Sequence, residues 1–332
     1  MQAKLITSSF NSIFHNLALE EYLFSRVTEP TLFLYRNDRN VVIGRHQNPW
    51  KECHLDRMES DNVQLCRRKS GGGAVYQDLG NTCFSFIEPF TDKVDYKSRN
   101  NHVIIQALAQ LGVVAEAKGR NDLVVNDKKI SGSAFKIEHR AGMSKALHHG
   151  TMLLSVEMDA VARYLNPNKA KLISKGITSV TSRVLNLSDL NSAINHDSFV
   201  ESISEAFRSK HKSLEKLVLS EMPEEARKTA ESYIEWQWRY GECPRFSHEL
   251  EHRFEWGIVD LHFQVEQGRI TKAKIFSDAL VPEFIDALNK YLPELKYGRE
   301  GVEELRQILI DTQPRELGNN IEELCAWLEE AM

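Results

Sequence analysis

Residues 66–81 read CRRKSGGGAVYQDLGN, in which three cationic side chains run directly into three glycines. The β-rich run VQLCRR (63–68) leads into the glycines, and AVYQ (74–77) leads out of them. Glycine lets backbone N–H groups turn toward a ligand without a Cβ in the way, and successive N–H groups form a concave anion site. The stretch therefore predicts either an anion-binding loop between two strands or a tight strand connection with a basic flank.

The same stretch matches neither of two common nucleotide-binding motifs. It contains no GxxxxGK[ST] pattern, so it is not a Walker A loop. It also lacks the third glycine of the dinucleotide fingerprint, and no helix is predicted after it. Any phosphate site here must use another loop design.

A second candidate segment, GRNDLVVNDKKISGSAFK (119–136), predicts a β-hairpin that turns at Asn126-Asp127. A lysine on such a strand beside small residues such as Gly132 suits a fixed cation that meets a phosphoryl group. The alternative is a hairpin whose lysines are simply solvated at its tip.

Three further segments each allow two interpretations. HHGTMLLS (148–155) places a histidine pair where it can line a pocket or form ordinary structural hydrogen bonds. KGITSVTSRVLNL (175–187) predicts either a surface loop or a segment that folds over a bound nucleotide. In the second case we expect residues 174–183 to close over the site. HELEH (248–252) matches the zincin helix pattern, but Pro244 upstream and a strand-like run downstream indicate a chance match.

Length and composition bound the class of protein. The chain has 332 residues, 42% hydrophobic and 27% charged, which is enough for two domains with a buried core. The formal net charge of −5 and the sequence pI near 6.2 argue against a protein that coats nucleic acid. The five cysteines form no CxxC pair, and no apolar stretch reaches the length of a membrane span. We expect a cytoplasmic protein that binds neither nucleic acid nor membrane.

The order of elements predicts an α+β fold. We predict a large N-terminal domain over 1–243, with a mixed β-sheet flanked by helices, and a small C-terminal α/β domain over 250–332. In the first domain, TLFLYR (31–36) and VVIGR (41–45) flank the polar link NDRN and predict a hairpin. In the second, an amphipathic pattern predicts a helix over 282–291.

Several of these segments occur in one order along the chain: RNDRNVVIGRHQNPWKEC, RRKSGGGAVYQDLGNTCFSF, GRNDLVV with KISGSAF, HHGTMLLS and KGITSVTSRV. Together they closely resemble the bacterial lipoate–protein ligase A family, and the resemblance extends to FSHELEHRFEWGIVDLHFQVEQGRI near the C-terminus. It implies a catalytic domain like that of biotin–protein ligases and class II synthetases, followed by an accessory domain.

The resemblance also implies a two-step reaction. Lipoate and MgATP give lipoyl-AMP and pyrophosphate, and a lysine of a lipoyl-domain protein then attacks the activated carbonyl and releases AMP. The implied partners are the acyltransferase subunits of 2-oxo acid dehydrogenase complexes and the glycine-cleavage H protein. We expect a monomer, and we expect Mg²⁺ to bind through the substrate phosphates with no dedicated protein ligands.

Residue roles follow from the same resemblance. The catalytic residues are Lys129, which contacts both substrates, and Asp122, which orients Lys129 or approaches the metal or the incoming lysine. The nucleotide is expected at Arg68, Gly72, Gly73, Ala74, Val75, Tyr76, Asn121, Asp122 and Lys129. Lipoate is expected at Glu20, Tyr35, Arg67, Asn81, Lys129 and His149.

Three other hypotheses compete with an ATP-dependent ligase. The main alternative is an octanoyl or lipoyl acyltransferase that needs no ATP and forms a cysteine thioester, with Cys83 as the candidate nucleophile. The second is a zinc hydrolase that uses HELEH (248–252), and the third is a non-catalytic lipoate-binding module.

Overall fold

The computed structural model describes residues 2–91, 94–140, 143–166, 184–240, 248–266 and 268–332. The chain divides into two compact units. The first comprises Met1–Ile43, Pro49–Arg68 and Ala74–Tyr240, and the second Gly44–Asn48, Lys69–Gly73 and Gly241–Met332. The predicted closing segment 174–183 and Cys243 lie outside the described residues.

An eight-stranded mixed sheet forms the centre of the first unit. Its strands are β1 (Gln2–Ser8), β2 (Thr31–Tyr35), β6 (Asn81–Phe90), β7 (Glu116–Lys118), β8 (Asp122–Val125), β9 (Lys128–Arg140), β10 (Met143–Leu153) and β11 (Ser213–Leu219). They lie in the order β11-β1-β2-β6-β10-β9-β8-β7. β1 is parallel to β11 and β2, and every other neighbouring pair is antiparallel. The predicted mixed sheet is therefore confirmed.

A small second sheet in this unit consists of β3 (Asn40–Ile43), β4 (Gln64–Arg67) and β5 (Val75–Gln77). β3 lies between a parallel β4 and an antiparallel β5. The hairpin predicted around NDRN is wrong, because β2 pairs with β1 and β6 while β3 pairs within the small sheet. The local turn signal is outweighed by partners that are distant in sequence.

Helices cover both faces of the large sheet. They are α1 (Ile13–Arg26), α2 (Pro49–Glu52), α3 (Leu55–Ser60), α4 (Tyr96–Gln110), α5 (Met158–Tyr164), α6 (His196–Arg208), α7 (Glu224–Ile234) and α8 (Trp236–Arg239). Successive strand side chains point to opposite faces. Phe84 and Phe86 of β6 are therefore buried with α4 and α6, whereas Cys83 and Ser85 face α1.

The second unit has the predicted order of strands followed by helices. Strands β12 (His248–Phe254), β13 (Gly257–Glu266) and β14 (Arg269–Ser277) form an antiparallel sheet. Helices α9 (Pro282–Tyr291), α10 (Arg299–Thr312) and α11 (Gly318–Ala331) follow, and they bury Phe263, Phe284 and Leu305 in one core. None of the helices that the structure describes is long and apolar enough to cross a membrane.

HELEH (248–252) lies in β12, in an extended conformation. The zincin motif needs its two histidines on one face of a helix, one turn apart. On a strand, residues four apart are separated by about 13 Å. The interpretation as a chance match is therefore supported, and the zinc-hydrolase hypothesis is not.

Candidate active site

The predicted hairpin of β8 and β9 is present. Asn126 and Asp127 at its turn have φ angles of 50° and 63°, the left-handed pair typical of a two-residue hairpin loop. Asn121 closes the other end, because its Nδ2 donates to the Ser133 carbonyl at 2.6 Å and its carbonyl accepts from Ser133 N at 2.9 Å. Asn121, a predicted nucleotide contact, thus holds the hairpin together.

A β-bulge in this hairpin determines where Lys129 points. Asp122 pairs with Gly132, but Val124 pairs with Lys129, so Ile130 is an extra residue on β9. A bulge of this kind re-aims the side chains that precede it. Lys129 consequently shares a face with Asp122, and its Nζ lies 2.7 Å from Asp122 Oδ1. Both side chains remain about one-third exposed, at 31% and 27%, so a ligand can reach them.

The strand register gathers several predicted site residues on that face in two rows. One row contains Tyr35, Cys83, Thr151, Gly132 and Asp122. The next row contains Phe33, Ser85, His149 and Ala134. Neighbouring rows on one face of a sheet are about 7 Å apart. The predicted catalytic pair and the predicted lipoate contact His149 therefore belong to one continuous surface.

Glu20 reaches this surface from α1. Its Oε2 accepts a hydrogen bond from Ser85 Oγ at 2.5 Å, and His149 Nδ1 lies 3.0 and 2.9 Å from its two carboxylate oxygens. Burial and, next, the Glu20 charge hold the pKa of Tyr35 well above its ordinary value. Three predicted lipoate contacts, Glu20, Tyr35 and His149, are thus brought together as one buried polar group.

The two predicted arginines point to different surroundings. Arg67 donates to the carbonyls of Trp238 and Arg239 in α8, at 2.9 and 2.8 Å. Arg68 is 7% exposed and donates to the Val42 carbonyl at 3.2 Å. Burial lowers its pKa to about 10, and the strongest opposing influence is Glu20. Arg68 is therefore within electrostatic reach of Glu20, whereas the hydrogen bonds of Arg67 go to α8.

Two buried polar atoms on the strands after the glycines have no hydrogen-bond partner in the part of the chain that the structure describes. Asn81 is 0% exposed and its Nδ2 donates to the Tyr76 carbonyl at 3.3 Å. Asn81 Oδ1 and the Tyr76 hydroxyl have no hydrogen-bond partner among the described residues. Unsatisfied buried groups cost free energy, so both atoms are suited to accept a ligand contact.

The loop that carries the three glycines, Lys69–Gly73, belongs to the second unit and contacts Ala279 of the same unit. Gly72 has a φ of 91° and its N–H donates to the Ala279 carbonyl at 3.1 Å. A Cβ on Gly71 would lie 2.0 Å from the same oxygen, so the close approach requires glycine. A Cβ on Gly73 would meet no atom within 4 Å. A phosphate that binds the Gly72 N–H has to replace the hydrogen bond to Ala279.

The four cysteines that the structure describes do not have the environment of a nucleophile. Cys53, Cys66, Cys83 and Cys325 are free and buried. Burial raises the pKa of Cys53 to about 12, of Cys66 to about 12 and of Cys325 to about 11. Burial, together with Glu20, also raises the pKa of Cys83. A reactive cysteine needs an exposed, electropositive setting that favours the thiolate.

Sequence reasoning missed one residue of this surface, Ser85, and did not single out Gly132 among the small residues of its strand. Ser85 is the hydroxyl donor to Glu20, and Gly132 lies directly opposite Asp122. The period-two alternation of CFSF places Ser85 on the same face as Cys83, so that pattern could have indicated Ser85. No local pattern distinguishes Gly132 from the other small residues around it.

Comparisons with known families identify two matching regions. The family model of the lipoyl protein ligase A/B catalytic domain matches residues 12–208. The family model of the bacterial lipoate protein ligase C-terminus matches residues 243–328. The chain is also 43% identical over 342 residues to lipoate-protein ligase A of Psychrobacter cryohalolentis, covering 99% of this chain and 98% of the relative.

Solved structures with the same fold include one with lipoate and one with ATP bound. P. falciparum LipL1 in complex with lipoate superposes with a TM-score of 0.86 at 31% identity, over 99% of this chain and 100% of that one. A lipoate-protein ligase A bound with ATP superposes with a TM-score of 0.61 at 26% identity, over 73% of this chain and 99% of that one. The bipartite ligase of Thermoplasma acidophilum, described with its E2 lipoyl domain, superposes with a TM-score of 0.62 at 27% identity, over 75% of this chain and 100% of that one.

Proposed function

The chain belongs to the lipoyl protein ligase A/B family and is an ATP-dependent lipoate–protein ligase, and we propose how its described residues carry out the two steps. Lipoate and ATP are its substrates, and lipoyl-domain proteins are its acceptors. The observation that carries the proposal is Lys129, held on one face with Asp122 and next to the row of His149 and Ser85.

In the first step the lipoate carboxylate attacks the α-phosphorus of ATP. A carbonyl C–O–P linkage forms, the bond between the α-phosphorus and the bridging oxygen breaks, and pyrophosphate leaves. Two anions must approach one another, and negative charge spreads over the phosphoryl oxygens. The Lys129 ammonium offsets this charge in the transition state, with Arg68 as a second cation. Mg²⁺ would enter as part of the MgATP substrate and would offset part of the phosphate charge.

Asp122 positions Lys129 for this step. The 2.7 Å ion pair keeps the ammonium over the sheet while the site is open to solvent. An incoming phosphate then competes with the carboxylate for the same cation. Of the three roles considered for Asp122, orientation of Lys129 is the one that a described contact supports.

In the second step the amine of an acceptor lysine attacks the carbonyl of lipoyl-AMP. The amide C–N bond forms, the C–O bond to phosphate breaks, and AMP leaves, while the amine nitrogen loses a proton. The mixed anhydride must be protected from water until then. The buried side chains of Tyr35 and His149 exclude water from the surface on which we place the lipoyl group.

The remaining residue roles are part of the proposal. We assign catalysis to residues 1–243 and an accessory role to residues 250–332. The nucleotide is held by Arg68, Gly72, Gly73, Ala74, Val75, Tyr76, Asn121, Asp122 and Lys129. Lipoate is held by Glu20, Tyr35, Arg67, Asn81, Lys129 and His149.

The acceptors and the setting complete the proposal. We assign the acyltransferase subunits of 2-oxo acid dehydrogenases and the glycine-cleavage H protein as acceptors. We place the enzyme in the cytoplasm as a monomer; the free thiols of all described cysteines suit the cytoplasm, since reducing compartments keep thiols unpaired.

Pyrophosphate release tests the adenylation step. The purified protein with lipoate and MgATP should release pyrophosphate without any acceptor protein, and lipoyl-AMP should be recovered. Pyrophosphate release that requires the acceptor, or none at all, would contradict the proposed order of steps.

A further inference from the structure

The backbone conformation at position 132 does not require a glycine. It lies within β9, opposite Asp122 and Thr151, and it is not among the glycines with positive φ. An extended conformation of this kind is accessible to every L-residue. Glycine within a strand often marks a place where another group approaches closely.

The group that approaches Gly132 is the end of the Lys129 side chain. A Cβ on Gly132 would lie 2.6 Å from Lys129 Nζ and 2.8 Å from Lys129 Cε, with Asp122 Oδ1 next at 3.9 Å. These are the nearest heavy atoms to the Cβ position. The ammonium therefore occupies the space that a side chain on Gly132 would fill.

Gly150, on the adjacent strand, shows a different use of glycine. A Cβ there would lie 2.6 Å from Phe84 Cζ and 2.7 Å from the Gly132 carbonyl oxygen. That oxygen is backbone and cannot move without disturbing the sheet. Gly150 is therefore required by the packing of the sheet, whereas Gly132 is opposed only by the flexible end of a lysine.

We propose that Gly132 is a positioning residue for adenylation, because its missing side chain leaves the space from which Lys129 reaches the substrates. The bulge at Ile130 turns Lys129 to this face, Asp122 holds its charge, and Gly132 lets the ammonium lie close to the strand. This inference rests on the proposed function of Lys129. It adds that a single methyl group at 132 displaces the cation without unfolding the sheet.

The test compares Gly132→Ala, Lys129→Ala and the double variant in the full-length protein, with pyrophosphate release from lipoate and MgATP as the readout. We expect Gly132→Ala to lower kcat by about 10²-fold, since a displacement of about 1 Å can cost that much. KM for both substrates should change little, because the lost interaction belongs chiefly to the transition state. Gly318→Ala is the matched control, since a Cβ on Gly318 meets no atom within 4 Å.

The double variant separates positioning from a structural effect. If Gly132 acts only through Lys129, the double variant will be no slower than Lys129→Ala alone and will melt at the parent temperature. Additive losses in kcat, a Gly132→Ala enzyme as fast as Gly318→Ala, or unfolding of the double variant would each overturn the proposal. A fully active Lys129→Ala would instead contradict the proposed function, and the role of Gly132 with it.

Discussion

Lys129 Nζ and Asp122 Oδ1 form an ion pair of 2.7 Å across a hairpin whose bulge places both groups on one face of the sheet. Because both side chains are partly exposed, the pair contributes less than about 1 kcal/mol to stability. Its arrangement therefore serves the site more than the fold: it presents a fixed cation where two anionic substrates must meet.

Lys129→Ala should slow lipoyl-AMP formation by about two to three orders of magnitude while the protein stays folded. Removing one preorganised donor to a developing negative charge costs about 10²–10³ in kcat. Lys128→Ala, the exposed neighbour in the same hairpin, is the matched control and should adenylate at the parental rate. Pyrophosphate release and circular dichroism check the two halves of the prediction. Near-parental adenylation by Lys129→Ala would refute the role of this cation.

Glu20→Ala should lower the free energy of unfolding by about 2–3 kcal/mol, because it removes the acceptor of the buried Ser85 hydroxyl and the carboxylate beside buried His149. Glu20→Gln retains an acceptor for Ser85 and should cost less. Glu21→Ala, at the neighbouring position, removes a carboxylate that is 25% exposed and serves as control. Urea denaturation gives the three values, and equal losses for Glu20→Ala and Glu21→Ala would contradict the buried group.

His148 should make the protein sensitive to acid. It is fully buried against Phe84, Phe86 and Phe135, and neither ring nitrogen has a hydrogen-bond partner among the described residues. Burial lowers its pKa to about 3, from the 6.5 of an unfolded histidine. Between these pH values the unfolded chain binds a proton that the folded chain does not. The contribution of neutral His148 to the free energy of unfolding is therefore complete above pH 6.5 and is lost as the pH falls toward 3.

His148→Phe should therefore reduce the pH dependence of the unfolding free energy between pH 6.5 and 4, by up to about 1.4 kcal/mol per pH unit. Denaturation series at several pH values measure the slope. His102→Phe removes an exposed histidine and controls for the substitution itself. A slope that is the same in His148→Phe and in the parent would show that His148 is not the group responsible.

Local signals predicted much of the fold, and the physical reason is visible in particular elements. The turn at Asn126-Asp127 was identifiable because two consecutive left-handed residues favour Asn and Asp. The helix at 282–291 has the predicted bounds, since Pro282 at its first turn and its apolar stripe are both local features.

Contacts between distant segments could not be predicted in this way. β2 and β3 join different sheets, although the link between them resembles a hairpin turn. Gly72 donates to Ala279, more than two hundred positions along the chain. The role of Gly132 depends on a one-residue bulge, and bulges leave little trace in hydrophobic alternation.

Replacing cysteines should leave the ligase active. Cys83→Ala removes a thiol that is 1% exposed, and adenylation and transfer should both proceed at the parental rate. The same should hold for the other cysteines, including Cys243, which lies outside the described residues. Separate assays of pyrophosphate release and of acceptor modification check this. A cysteine variant that adenylates but cannot transfer would indicate a thioester intermediate.

The mass of an apo lipoyl domain after incubation with the purified protein, lipoate and MgATP tests the central claim most directly. With wild-type protein the domain should gain one lipoyl group on its target lysine, only when ATP is present. With Lys129→Ala its mass should stay unchanged over the time that the wild type needs to modify it, unless synthetic lipoyl-AMP is supplied in place of lipoate and ATP. Modification by the wild-type protein without ATP, or by Lys129→Ala at the wild-type rate with lipoate and ATP, would contradict the account.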